Sequence, residues 1–583
     1  MNIHQVHELP NIESQVVGID IETTTTPGNK ISNPFQDRMV AISVSDGEQS
    51  WVLGPESNMH SIVSLINNPN VKKIGHNIQF DLAFITYQLG AQAENVYDTM
   101  LMSRMIHAGR GMRHGLDDCL AYDLGVMMDK SVREQFYSHV GTLTEEQVQY
   151  AAGDVAYLPR LREKQLKDIS SAGLGKIAAL ENKAVLTVVD MYLAGVMFDQ
   201  DLWKTYEEWI NRKLREIQLG VVKITSCNYS ENMFGDIELE INLGSVKQLN
   251  TLFKKEGIKC TNTQEKTLSA YIEKHPGTRQ SMLLQMILEY KTWRKRLGWK
   301  YEEKVNPVTG KIHPSWNALG ADTGRFSCSD PNLQQVPRPH EGEPNFRKLF
   351  IPEKGKQFIT LDWSQEEVRI FAQACEDRAL REACQSGDVY TMIAERVFGE
   401  KVEKGSEERF LVKTAVLACA YGARKTKLAL VLGKTEDEAE KLRRMIFSTF
   451  PQMKVYADQQ LRNLVQKGYT TTLLGRRRYF EEIFGIKPEN HWKYASEAVN
   501  TPIQGTAADI GKLAMWKLRD WYKEKTGIRP VITVHDEFIL EVPAEEADVL
   551  KYDVIGIMEQ AAAVVCPDVI IPAEGSVGDF WEK

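Results

Sequence analysis

A chain of 583 residues with 43% hydrophobic content is long enough for several cores, and length alone suggests three or four domains. No apolar run approaches the roughly 18 residues of a membrane span, and "MNIHQVHELPNIESQ" has neither the pattern of a signal peptide nor the Arg-rich pattern of a transit peptide, so a soluble protein of a cytosol-like compartment is expected. A formal net charge of −8 counts against nucleic acid as a partner, unless the cations are clustered and the carboxylates are reserved for metals.

Two basic clusters fit that exception, "YKTWRKRLGWK" (290–300) and "GRRRYF" (475–480), although each alone reads equally well as a solvated face. The eight cysteines are scattered with no CxxC, which suggests free thiols and no structural zinc.

In chain order, residues 1–165 alternate short apolar runs ("VVGIDIET", "MVAISVSD", "VKKIGHN") with longer amphipathic stretches, an α/β pattern. In "VVGIDIETTT", Asp20 and Glu22 share one face of a strand, with Ile19 and Ile21 on the other. "IGHNIQFDLAFI" sets Asn77 and Asp81 four apart, and "YAAGDVAYL" does the same for Tyr150 and Asp154; on helices each pair shares a face. Any one fragment fits an edge or capping acid. Together and in this order they resemble the DEDD 3′–5′ exonucleases, in the subtype with a tyrosine in the last motif. The resemblance implies an RNase H-like α/β domain over residues 1–170. In it, Asp20, Glu22, Asp81 and Asp154 would hold two divalent ions, and Tyr150 would orient the attacking water.

Residues 175–300 lack strong strand signals and read as mostly helical, with "ENKAVLTVVDMYLAGVMFD" as a long helix ending near Gly195. Strands return from 310 onward, between long helical stretches at 406–420, 435–449 and 505–525. "KQFITLDWSQEEVRI" is an apolar strand ending in Asp362. "VITVHDEFILEV" reads as two strands, about 531–534 and 538–542, with His535, Asp536 and Glu537 at the turn. Two strand-borne aspartates, Asp362 and Asp536, could meet on neighbouring strands as a two-metal pair. In "RFLVKTAVLACAYGARK", Arg409, Lys413, Leu417 and Tyr421 recur every four residues and form one helical stripe. At about 1.5 Å per residue, Lys413 to Tyr421 spans about 12 Å, enough to lie along a nucleoside triphosphate. The plainer alternative is an amphipathic helix with a basic end.

Six blocks in order carry the larger resemblance: "TGRFSCSDPNLQQVP" (323–337), "DWSQEEVR" (362–369), "RFLVKTAVLACAYG" (409–422), "GYTTTLLGRRR" (468–478), "VNTPIQGTAADI" (499–510) and "VHDE" (534–537). From about 185 to the end the chain resembles family A DNA polymerases, the group of bacterial DNA polymerase I and many phage replicases. The family's 5′-nuclease domain is expected to be absent, as in phage-encoded members. The fold implied is an α+β right hand after the exonuclease domain: thumb 171–300, palm 301–384 and 500–583, fingers 385–499.

The resemblance also implies roles. Asp362 and Asp536, with the Trp363 backbone carbonyl, would hold two Mg²⁺ ions, as would the exonuclease acids, with Mn²⁺ as an alternative ion. Arg409 and Lys413 would neutralise the triphosphate of a dNTP, Lys413 also assisting the leaving pyrophosphate. Gln365, Leu417 and Tyr421 would line the dNTP site, and Tyr390 would offer a hydroxyl where many members have His. Glu367 would gate the sugar against ribonucleotides. Arg325 and Gln504 would read minor-groove acceptors, and His535 would contact the primer terminus. Asn500, Arg476, Arg477 and the 290–300 cluster would bind DNA, and Glu537 would be a supporting carboxylate. The partners would be primer–template DNA and dNTPs, with replisome proteins not identifiable from sequence. The protein would act without membrane contact, as a monomer, in a bacterial or phage-infected cytoplasm.

Four positions depart from the family pattern. Leu417 stands where Phe or Tyr is usual, Ser496 where Arg is usual, and Trp363 and Glu366 where Tyr and Ile are common. Rival readings are a single-subunit RNA polymerase or reverse transcriptase, a degenerate polymerase kept for DNA binding, and an exonuclease-dominated repair protein.

Overall fold

The computed structural model describes residues 2–29, 31–128, 131–233, 237–534 and 536–582. His535 lies outside the described residues.

The N-terminal part is a six-stranded mixed sheet with helices packed on it. Its strands are β1 (Asn2–Gln5), β2 (Val16–Thr23), β3 (Met39–Ser45), β4 (Gln49–Leu53), β5 (Lys72–Gly75) and β6 (Val96–Asp98), in the order β1-β4-β3-β2-β5-β6. β2 pairs antiparallel with β3 and parallel with β5. It is covered on both faces, which is why "VVGIDIET" reads as a nearly continuous apolar run broken only by its acids. Helices α1 (Ile78–Leu89) and α2 (Glu145–Ala156) pack against it.

Helix α3 (Gly175–Ala194) follows and stops at Gly195, as its composition predicts. It is apolar on most of its circumference because it is covered on most sides: it touches α1, the helix Ala495–Tyr522 and the strand Arg529–Val534. Through it one continuous apolar core runs from the N-terminal sheet to the C-terminal Trp581. Next come α4 (Gln200–Thr225) and α5 (Arg279–Leu297), which pack together and enclose a separate small core of Leu249, Leu252, Phe253, Leu268, Leu283 and Ile287. This region is not wholly helical, since Tyr229–Glu231 and Ile237–Leu239 pair as a short hairpin.

The C-terminal part is built on β7 (Lys356–Trp363), which leads into α6 (Glu366–Cys375). A helical insertion follows. It includes α7 (Glu407–Ala420), the helices Lys425–Leu432, Glu436–Thr449 and Pro451–Lys467, and a hairpin of Tyr469–Thr471 with Arg477–Tyr479. The chain returns along α8 (Ala495–Tyr522), then β8 (Arg529–Val534), β9 (Glu537–Pro543), α9 (Ala547–Val565) and β10 (Ala573–Gly578). The sheet order is β8-β9-β7-β10, all antiparallel. Helix α8 begins ten residues before the expected 505 and runs unbroken across residue 500, where the sequence reading divided fingers from palm. Glu537 belongs to β9 rather than to the turn. Among the described residues no helix is long and apolar enough to cross a membrane, and all eight cysteines are free.

Candidate active sites

The first site lies on β2. Alternation along the strand puts Asp20 and Glu22 on one face. Helix α2 is started by a capping box: Gln147 N–H donates to Thr144 Oγ1 at 3.2 Å, and Thr144 N–H donates to Gln147 Oε1 at 3.0 Å. It can lie directly on β2 because Gly18 has no side chain; a Cβ there would stand 2.8 Å from the Val155 carbonyl oxygen. That close approach delivers Asp154. Ligand oxygens of Asp20, Glu22 and Asp154 all lie within 4.8 Å of one another.

Burial raises the Asp20 carboxyl well above its ordinary value, and Asp81, Asp154 and Glu22 raise it further. Burial and then Asp154 push Glu22 up to about 8, with Arg133 pulling the other way. Acids gathered in this way resist ionising together, and a hard divalent cation is what relieves them. The donor set therefore fits such an ion.

Asp81 stays beside these acids, whereas the expectation for Asn77 changes. Asp81 is buried and faces β2, but its Oδ1 accepts the Ile21 N–H at 3.0 Å, and it stands outside the converging trio. Asn77 does not share a helical face with it. Asn77 precedes α1 in a left-handed conformation (φ 64°), and its N–H donates to Asp98 Oδ1 at 3.1 Å. Asp98 also accepts from Ile78 N–H and caps the helix that starts at Thr99, so this buried acid anchors two helix starts. Tyr150 sits one turn before Asp154 with its ring 5.9 Å from that of Phe136. Burial, then Asp154 and Glu22, raise its phenol, so the hydroxyl stays protonated and able to donate.

The second site lies at the end of the four-stranded C-terminal sheet. β7 and β9 pair in a register that sets Asp362 opposite Glu537, so Asp536 lies at the mouth of the β8–β9 hairpin beside the end of β7. A cavity of about 250 Å³ opens there, lined by Arg325, Gln334, Glu366, Glu367, Thr533 and Asp536 among others. Among the described residues these acids do not close into a three-carboxylate cluster as the exonuclease acids do. Glu537 turns away from the cavity. It is 2% exposed, accepts from Arg347 Nη1 at 3.0 and 3.1 Å, and accepts from Trp581 Nε1. It locks the C-terminus to the sheet and does not support the site directly. Trp363 packs its buried ring against Phe538.

Glu366, one of the departures, is 5% exposed, and its Oε1 has no hydrogen-bond partner. Burial, then Asp536 and Glu367, push its carboxyl well above the usual range. Beside it, Glu367 accepts the Tyr421 hydroxyl at 2.9 Å and faces Arg325 Nη2 at 3.4 Å.

Helix α7 starts on a Ser406 cap and presents the expected stripe, with Tyr421 as the residue that ends it rather than a member of it. Lys413 is exposed and Leu417 half-buried. Arg409 is held bidentately by Asp388, at 2.8 and 3.0 Å. Tyr390 lies beside the stripe. It is 4% exposed and meets the cations with its ring, with the Lys413 ammonium 5.7 Å and the Arg409 guanidinium 6.0 Å from the centroid. Both ends of the Gln365 amide are engaged by backbone, accepting from Val389 N–H at 3.0 Å and donating to the Gly387 carbonyl at 3.4 Å. Gln365 ties the start of α6 to the segment 387–389.

Of the DNA-contact candidates, Arg325 and Gln504 are half-buried beside the palm cavity or on α8. Asn500 has a buried Oδ1 without a partner, and Arg477 stacks 4.4 Å over Tyr469. Arg476 is a correction. It is buried, with Nε 2.8 Å from Asp509 Oδ1 and Nη2 on Glu181 Oε1, so it has no route to DNA. In the 290–300 cluster, Arg294, Lys295 and Lys300 are exposed, whereas Arg296 pairs with Glu343 and stacks on Trp293.

Sequence reasoning missed Asp98, Asp388, Glu181, Asp509 and Lys512. Asp98 could have been found as a capping acid directly before a helix. Asp388 was legible in the same way, since it caps the helix Val389–Phe398, whereas Glu181, Asp509 and Lys512 resemble surface charges in the sequence, and nothing local marks them as buried.

An RNase H-like exonuclease fold joined to a right-hand polymerase fold is the class that these elements and acids define. The chain belongs to DNA polymerase family A, whose model matches residues 217–583; a 3′–5′ exonuclease model matches residues 5–170. It is similar to DNA polymerase I of Chloroflexus aurantiacus, 30% identical over 543 residues, covering 88% of this chain and 55% of that one. DNA polymerase I of Pseudomonas aeruginosa is 28% identical, covering 98% and 64%. That of Aquifex aeolicus is 28% identical, covering 94% of each. The chain therefore spans just over half to nearly two thirds of the first two relatives and almost all of the third. The POL domain of Pol1 from M. smegmatis, solved in complex with DNA primer-template and dNTP, shares the fold with a TM-score of 0.82 at 24% identity, over 97% of this chain and 95% of that one.

Proposed function

We propose that the protein is a template-directed DNA polymerase that extends a primer 3′ end with dNTPs and proofreads it with a separate 3′–5′ exonuclease site. The observation that carries this is the pairing of two acidic centres on two sheets. One is the Asp20–Glu22–Asp154 cluster; the other is the end of the C-terminal sheet, where the β7–β9 register sets Asp362 opposite Glu537, the neighbour of Asp536.

Divalent cations, Mg²⁺ foremost and two at each site, would supply charge neutralisation at the phosphate and make the attacking oxygen easier to deprotonate. In the polymerase site Asp362 and Asp536, with the Trp363 carbonyl, would hold them. Primer 3′-OH attacks the α-phosphate of the dNTP and pyrophosphate leaves, a reaction that needs positioning and electrostatic stabilisation above all. Lys413 lies free to meet the triphosphate. Arg409 joins it by exchanging Asp388 for phosphate, which suits its planar fork. Glu367 blocks the sugar 2′ position, Tyr421 backs the nascent pair, and Leu417 lies against the sugar. Arg325 and Gln504 read minor-groove acceptors present on every correct pair. His535 contacts the primer terminus, and Asn500, Arg477 and the exposed cations of 290–300 hold DNA. Asp20, Glu22 and Asp154, with Asp81 completing the set, hold the exonuclease ions, and Tyr150 orients water. The domain division follows the same reading: exonuclease to about 170, thumb to about 300, and a palm interrupted by fingers. The protein acts on primer–template DNA in replication or repair, as a monomer, in the cytoplasm.

Primer extension and 3′ degradation with Asp536→Ala and Asp20→Ala test this. The first should lose extension and keep degradation; the second should do the reverse. Degradation that survives Asp20→Ala would overturn the exonuclease assignment, and extension that survives Asp536→Ala the polymerase one.

A further inference from the structure

Four charged side chains are buried together where α3, α8 and the Tyr469–Tyr479 hairpin meet. Arg476, Glu181, Asp509 and Lys512 have side chains no more than 3% exposed. Glu181 Oε1 receives both Arg476 Nη2 and Lys512 Nζ. Asp509 takes Arg476 Nε at 2.8 Å and the Thr472 hydroxyl at 2.7 Å. Thr472 Oγ1 in turn accepts the Arg476 N–H at 3.0 Å, closing the ring. Isolated charges are expensive to bury, and a cluster of this kind often serves to fix one geometry rather than to add stability.

The geometry fixed is that of the loop carrying Arg325. Gly324 (φ +91°) lies so close to the cluster that a Cβ would stand 2.6 Å from Arg476 Nε. Phe326 has its ring 5.2 Å from the Lys512 ammonium. Both neighbours of Arg325 thus rest on buried charges. The same loop meets α8 at Gly505, where a Cβ would come 3.0 Å from the Thr323 carbonyl oxygen and 2.6 Å from Thr472 Cγ2. Gly505 directly follows Gln504. The next residue, Thr506, accepts the Leu473 N–H at 3.0 Å.

We propose that Arg476, clamped by Asp509 and Glu181, is a positioning residue for minor-groove reading: it sets the 323–326 loop against α8 so that Arg325 and Gln504 reach the primer–template together. The proposal rests on the reading of those two residues as minor-groove contacts. Arg476 itself touches no DNA. Because Glu181 belongs to α3, which also packs on exonuclease helix α1, the same clamp ties the reading pair to the body that carries the second active site.

Primers ending in guanine or in 3-deazaguanine, which lacks the N3 acceptor, test it by single-turnover addition of the next nucleotide. In the unaltered protein the deaza substitution should slow addition by about tenfold or more, the loss of one charge-assisted hydrogen bond. Arg325→Ala should be slow on both primers, with the deaza penalty gone. Arg476→Lys keeps the charge but cannot span both carboxylates. It should shrink the penalty to under about threefold while single-stranded degradation stays at its normal rate. If Arg476→Lys fails to fold, Thr472→Val removes only the hydroxyl that closes the ring and should also reduce the penalty. A folded Arg476→Lys or Thr472→Val with the full penalty would overturn the positioning role while the Arg325 reading stands. A full penalty in Arg325→Ala would instead overturn the reading beneath it, and the proposal with it.

Discussion

The Tyr421 hydroxyl donates to Glu367 Oε2 at 2.9 Å, joining the residue that ends the fingers stripe to the proposed sugar gate. Arg325 approaches the other oxygen of the same carboxylate at 3.4 Å, so three residues with separate proposed tasks form one chain. Tyr421→Phe should leave the gate less firmly held. Discrimination between dNTP and rNTP should fall by about three- to tenfold, the worth of roughly 1 kcal/mol for one hydrogen bond. Glu367→Ala should lower it further. The measurement is the ratio of kcat/KM values on a primed template. If Tyr421→Phe leaves that ratio as it was, the bond has no part in gating.

Leu417 is half-buried and offers no hydrogen-bonding group at its place in the stripe. A tyrosine there could fill the space left by a missing 3′-OH. Leu417→Tyr should therefore raise dideoxynucleotide incorporation, by about tenfold or more, because a lost polar partner is costly only where nothing replaces it. Unchanged dideoxynucleotide use would sink the idea.

The exonuclease acids make a pH prediction with a definite sign. Burial and Asp154 lift Glu22 from its ordinary 4.5 to about 8. The folded, metal-free site therefore holds a proton that the unfolded chain releases between those values. Its stabilising contribution is complete below about pH 4.5 and is lost as pH rises through about 8. A divalent ion opposes this, since it takes the ionised form. Mg²⁺ should raise the unfolding midpoint of the exonuclease domain clearly at about pH 8 and far less at about pH 5. Equal stabilisation at the two pH values would contradict the assigned shift.

Glu366 places a carboxyl with one unpartnered oxygen among Phe326, Ala507 and Phe538 at the palm cavity. Burying such a group costs about 1–3 kcal/mol. Glu366→Ile should raise the urea midpoint without changing its slope, by an amount worth about 1–2 kcal/mol. Glu366→Gln should gain less. A lower midpoint for Glu366→Ile would mean that the carboxyl is satisfied in a way that stabilises the fold.

Arg347 and Glu537 are a buried pair across 190 positions of sequence. Removing one partner leaves the other charge stranded, at about 3–5 kcal/mol. Arg347→Met should weaken primer extension by loosening the palm, and it should spare single-stranded degradation because the groups the pair holds, Trp581 and the Glu582 carbonyl, belong to the C-terminal part. Loss of both activities together would show that the two bodies unfold as one.

Much of this molecule could be read along the chain. Strand alternation placed Asp20 and Glu22 together, the four-residue spacing of Arg409, Lys413 and Leu417 forecast their stripe, and Gly195 marked the end of α3. These are local signals: side-chain period and backbone freedom belong to a few consecutive residues, and the order of the motifs adds the family. The fate of each charge was not local. In "GRRRYF" the arginines are alike on paper, yet Arg476 is buried and its fork is taken by Glu181, 295 positions away, and by Asp509. In "VHDE" two adjacent acids part company, with Asp536 at the cavity and Glu537 turned inward to Arg347 and Trp581. Asp81 likewise stays beside Asp20 but also gives one oxygen to a backbone amide on β2, which nothing in its own segment announces. A charge is buried or exposed according to which distant groups can neutralise it, and those partners are chosen only when the sheets and helices pack.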